Sequence, residues 1–143
     1  MALPDPVPGL VIRYAYLWGR EAQEGREEGA KDRPCAIVVT AQRAEDGRTR
    51  VMVAPITHAP PRDAGHAVEL PPQVGQVLGL DDARSWIVTA EVNVFTWPGP
   101  DVRPARRGDF AFGRLPNRLL EQVRRGVLGQ IKSWVGVIER DDA

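Results

Sequence analysis

The chain has 143 residues, 43% of them hydrophobic and 27% charged, and no apolar run near the length that spans a bilayer. That is the profile expected of a single soluble globular domain, and it excludes a helical membrane segment. Nineteen basic residues balance nineteen acidic ones, so the chain as a whole lacks the basic footprint many nucleic-acid binders carry. Its one cysteine, Cys35, cannot form an internal disulfide.

The opening MALPDPVPGL has neither a basic start nor an apolar stretch of signal-peptide length, so the cytoplasm is the expected location. LVIRYAYLW, from Leu10 to Trp18, is rich in β-branched and aromatic residues and reads as a first strand. GREAQEGREEGAKD then has three glycines, many charges and no apolar period, so a long surface loop is expected. CAIVVT after Pro34 reads as a short buried strand, and the Asp-Gly pair of AEDGRT turns the chain back into RVMVAPIT as a hairpin. HAVEL is a fourth short strand, PPQVGQVLGL holds a turn or two of helix, and SWIVTAEVNVF is a fifth, longer strand. TWPGPDVRPARRG is a Pro- and Gly-rich connection, and FAFGRL a last short strand.

The strongest helical signal is PNRLLEQVRRGVLGQIKSW, where Leu120, Val123, Val127, Ile131 and Trp134 recur at helical spacing. Pro116 and Asn117 suit its start, while Gly126 and Gly129 each weaken it by about 1 kcal/mol relative to alanine. From Asp101 to Arg140 nine Arg or Lys stand against four Asp or Glu, which leaves either a solvated helix surface or a local basic face. Together these elements predict one mainly β (α+β) domain over residues 1–143. The expected form is a small, strongly curved β barrel at about 9–115 capped by a C-terminal α-helix at about 117–134.

Among residues able to carry chemistry, Arg33 stands first. Pro34 restricts the residue before it to extended backbone, so the guanidinium is held at a strand entrance, where it can clamp a phosphate or pair with Asp32 or Glu28. Thr57 ends VMVAPIT, where Pro55 stops ladder pairing, and its hydroxyl can donate to a phosphate oxygen or cap a turn. His58 beside it is an acid–base candidate near neutral pH. His66 reads as polar surface and Cys35 as a small core residue. Glu21, Glu24, Glu27 and Glu28 offer carboxylates in the long loop. The two histidines have no helical Glu between them and no cysteine partner, so no metal or cofactor is expected.

In order, EGAKDRPCAIVV, VMVAPIT, HAVELP, GLDDARSWIVTAEV and FGRLPNRLLEQV resemble segments of the MazF/PemK family of toxin endoribonucleases, over roughly Pro8 to Gln130. The most specific pieces are the Arg-Pro pair entering one strand and the Pro-Ile-Thr closing the next. The resemblance implies an SH3-like barrel with a terminal helix, a homodimer, and metal-independent cleavage of single-stranded RNA. It also implies a type II toxin whose growth arrest is relieved by a cognate antitoxin protein. By the same resemblance Arg33 and Thr57 are the catalytic positions and Glu28 is a loop glutamate beside the site; Lys31 and Asn93 are further candidates for RNA contact. Attack by the 2′ hydroxyl would leave 2′,3′-cyclic phosphate and 5′ hydroxyl ends, and would require RNA.

The chain departs from the family at Lys31 and Asp32, which intervene before Arg-Pro, and in AEVNVFTWPGP, which lacks the basic residue the family often has there. Asp32 is thereby expected to compete for Arg33. Two alternatives share the barrel: a non-enzymatic gyrase poison of the CcdB type, and a catalytically silent RNA- or protein-binding barrel.

Overall fold

The computed structural model describes residues 3–25, 31–131 and 136–140. In chain order the elements are β1 (Leu10–Tyr14), α1 (Gly19–Gln23), β2 (Arg33–Gln42), β3 (Thr49–Thr57), β4 (Ala67–Glu69), α2 (Pro72–Val77) and β5 (Trp86–Val88). Then follow β6 (Val92–Thr96), β7 (Val102–Arg103), β8 (Ala111–Arg114), α3 (Asn117–Gln130) and β9 (Val137–Glu139). The chain is mainly β. The strands form one sheet ordered β4-β5-β3-β2-β1-β7, with β8 also on β1, β6 also on β3, and β9 parallel to β6. No helix among the described residues is long and apolar enough to cross a membrane.

The apolar runs are continuous rather than alternating because both sheet faces are covered. Val11, Ala36, Val38, Ala54 and Ile56 point to one cluster with α2 and α3, where Leu119, Leu120, Val123 and Val127 are buried. Ile12, Tyr14, Cys35, Ile37, Val51, Val53 and Phe95 form a second cluster on the other face, with Tyr14 stacked on Phe95 at 4.5 Å. The hairpin of β2 and β3 turns where expected, at Gly47, whose φ of 69° suits glycine.

Several expected boundaries move. The first strand stops at Tyr14, and the charged stretch after Trp18 begins with a short helix rather than a loop. The fifth strand is two: Thr57↔Trp86 and Val53↔Asn93 both pair with β3, but the ladders are offset, so Thr89 to Glu91 leave the sheet between them. That step lets Thr89 seat beneath α3. The terminal helix ends at Gln130, Ile131 packs partly buried against the core, and Trp134 lies outside the described residues. The unassigned tail supplies β9. Gly136 precedes it at φ 86°, where a side chain would strike the Ala90 carbonyl.

The two helix glycines differ for the same reason. A Cβ at Gly126 would stand 2.9 Å from Thr89 Cγ2, whereas nothing lies within 4 Å of one at Gly129. Gly129→Ala is therefore expected to gain up to about 1 kcal/mol from helix propensity. Gly126→Ala is expected to lose about 1–2 kcal/mol, because the overpacking outweighs that gain. Urea unfolding of the two variants measures this opposition directly.

Candidate functional site

Arg33 opens β2, opposite Tyr14 of β1, and Thr57 closes β3. The β2–β3 ladder pairs Ala36 with Ala54 and Cys35 with Pro55. The same register carried two residues on brings Arg33 and Thr57 to facing strand ends. Pro34 and Pro55 lack the N–H groups that would lace these ends together. Two residues 24 positions apart in sequence thus share one corner of the sheet.

The Arg33 guanidinium carbon lies 4.9 Å from the centre of the Trp18 ring, and its Nε is buried without a hydrogen-bond partner. An unpaired buried donor costs about 1–3 kcal/mol, so this group stands ready for an acceptor. Asp32 does not restrain it. Successive side chains of extended backbone point to opposite faces, and Asp32 turns to Arg13, 3.7 Å away, which is cross-paired with Pro34. The expected competition between Asp32 and Arg33 is replaced by this separate contact. Lys31 is exposed on the approach to β2, and Glu28 and Glu27 lie outside the described residues.

Thr57 and His58 line a cleft of about 110 Å³ with Pro34, Ile56, Leu80, Asp81 and Ser85. Thr57 Oγ1 accepts from the Ala59 N–H at 3.2 Å, the turn contact expected of it, and keeps its own proton to donate. The His58 ring is fixed at both nitrogens: Nδ1 lies 3.0 Å from the Arg84 carbonyl and Nε2 3.0 Å from Asp81 Oδ2. Both neighbours accept only, which is the pattern an imidazolium satisfies in full. Ser85 Oγ is 3.1 Å from the same Nδ1 and 3.3 Å from the Ala83 carbonyl. Because Nδ1 must donate to Arg84, it cannot take a proton from Ser85, so the cluster positions a histidine and does not activate a serine. Asp81, Arg84 and Ser85 were missed in the sequence. Ser85 reads there only as the start of the fifth strand, and Asp81 also accepts from the Ala83 N–H at 3.1 Å.

Asn93 has a different place from the one expected. It is 0% exposed, accepts from the Leu17 N–H at 2.9 Å, and donates to the Leu17 carbonyl at 2.8 Å. Arg140 donates to its oxygen at 2.8 Å, to the Ala15 carbonyl at 2.8 Å and to Asp101 at 2.9 Å. With both ends of its amide engaged, Asn93 offers nothing to RNA and instead fixes the segment leading to Trp18. The basic group beside it comes from the tail.

Behind Trp18, Glu21 is 5% exposed and accepts from the Trp18 N–H at 3.1 Å. Glu91 accepts from the Tyr16 hydroxyl at 3.0 Å and the Gly19 N–H at 2.9 Å. Burial holds the Glu91 carboxyl above its ordinary range despite those bonds, and burial with the Glu91 charge pushes the Tyr16 phenol up as well. A carboxyl raised by folding contributes most to stability below its unfolded value of 4.5, and the contribution is lost as pH rises through the folded value. Glu91→Gln is therefore expected to gain stability relative to the natural chain as pH climbs from 4.5 towards 7, as thermal melts across that range would register. Cys35 is fully buried with its thiol pushed up by desolvation, and His66 is an exposed partner of Asp63 at 3.7 Å.

Compared with known proteins, the chain matches no family model, and no curated protein matches it either.

Proposed function

We propose that this chain is a metal-independent endoribonuclease of the MazF/PemK type. It would act as a homodimer of SH3-like barrels on single-stranded RNA, as the toxin half of a toxin–antitoxin pair. The observation that carries the reading is the placement of Arg33 and Thr57 at neighbouring ends of paired strands, with the Arg33 guanidinium in no ion pair among the described residues.

In the reaction the RNA 2′ oxygen bonds to phosphorus and the P–O5′ bond breaks. Charge accumulates on the non-bridging oxygens of the five-coordinate transition state, where the Arg33 fork and the Thr57 hydroxyl donate. Arg33 stays protonated throughout. His58, fixed next to Thr57, supplies the proton to the departing O5′; its contact with Asp81 joins two side chains more than half exposed, so the ring stands open to a ligand. The 2′ proton passes to water or to Glu28, the loop carboxylate of the family resemblance.

The test is incubation of the purified protein with long RNA in EDTA, followed by mapping of the ends. Cyclic phosphate and 5′ hydroxyl termini are expected, and they should vanish in Arg33→Ala. Intact RNA would overturn the reading.

A further inference from the structure

Two guanidinium groups converge on Trp18. The Arg20 carbon is 5.3 Å and the Arg33 carbon 4.9 Å from the ring centre. Neither arginine has a carboxylate within ion-pair distance among the described residues. The two acidic groups nearby are already engaged: Glu91, whose charge is felt by Arg20, is bonded to Tyr16 and Gly19, and Glu21 to the Trp18 N–H. Two like charges held about one ring, with no carboxylate at ion-pair distance among the described residues, form a place for an anion. The same stack holds two buried N–H donors without acceptors, Arg33 Nε and Trp18 Nε1. Unpaired buried donors are rare in folded proteins, and here two share one aromatic contact.

We propose that Arg20 and Trp18 form, with Arg33, a second phosphate position that takes the phosphodiester adjoining the scissile one. The proposal rests on the RNA-cleaving reading for its ligand. Arg33 joins the two positions, facing Thr57 along one strand end and Trp18 along its own stack. A single strand laid from the Thr57 cleft towards α1 would give successive phosphates to the two places. Arg20 binds here and does no chemistry.

The test is binding of a fluorescent 2′-O-methyl RNA 12-mer pool, which cannot be cleaved, over a range of salt. Losing one phosphate contact on a single strand should reduce the slope of log affinity against log salt by about 0.7, and weaken binding about fivefold at 0.1 M salt. Arg20→Gln should do this and raise the KM for cleavage of natural RNA by about the same factor. Trp18→Phe, which keeps a ring but removes the N–H, should weaken binding with the slope unchanged, since no charge is lost. Arg20→Gln with wild-type slope and affinity would overturn the subsite. Inorganic phosphate that displaces the pool at constant ionic strength from the natural chain, but not from Arg20→Gln, would overturn its assignment to a diester within a strand. A natural chain that binds with a slope lowered by Arg20→Gln, yet leaves natural RNA intact in EDTA, would keep the subsite and remove the nuclease. Absence of any binding would remove both.

Discussion

Arg33→Ala is expected to slow RNA cleavage by about a hundredfold or more, the usual consequence of removing a donor aimed at developing charge in a transition state. The chain should still fold, because Arg33 makes no ion pair among the described residues and its Nε is already without a partner. Arg33→Lys should fail almost as badly. A lysine keeps the charge but lacks the planar fork that meets two phosphate oxygens and lies over the Trp18 ring. Thr57→Ser, which retains the hydroxyl, should keep much of the activity that Thr57→Ala loses. Single-turnover rates with the melting temperature of each variant separate chemistry from folding; full activity in a folded Arg33→Ala would end the assignment.

The largest expected effect on stability lies elsewhere. The Arg140 side chain is 3% exposed, sits 5.3 Å over the Tyr14 ring, and donates to Ala15, Asn93 and Asp101. Arg140→Ala leaves the Asp101 carboxylate without its cation and two buried oxygens short of a donor. Breaking such a pair from one side costs about 3–5 kcal/mol. For a domain of this size that lowers the melting temperature by roughly 10 °C. Adding Asp101→Asn to Arg140→Ala should recover part of the loss, because the stranded charge is then gone; a double-mutant cycle in urea reads the coupling. A loss below about 1 kcal/mol in the single variant would show the network to be idle.

The hairpin, the short fourth strand, the turn of helix after it and the apolar stripe of the last helix were legible because each is written in local chemistry: Asp46-Gly47, HAVEL, Pro72, and the spacing of Leu120, Val123 and Val127. What was not legible depended on partners far along the chain. SWIVTAEVNVF looks like one strand until two offset ladders on β3 divide it. Asn93 looks like a polar residue free for a ligand until Leu17 and Arg140, 76 and 47 positions away, take its amide. Arg33 and Thr57 were visible as separate residues at strand ends, but not the Trp18 stack that holds one or the Asp81 contact that fixes the neighbour of the other.

The clasp around Asn93 also orders events in time. Its amide and the Ala15 carbonyl are synthesised before residue 140, and at about 5–20 residues per second the interval from Asn93 to Arg140 lasts about 2–9 s. Throughout that interval Arg33, Thr57, His58 and Trp18 have all been made, while the cation that braces the segment leading to Trp18 has not. A growing chain therefore carries the groups of its candidate site before it carries the cation that braces the segment leading to Trp18.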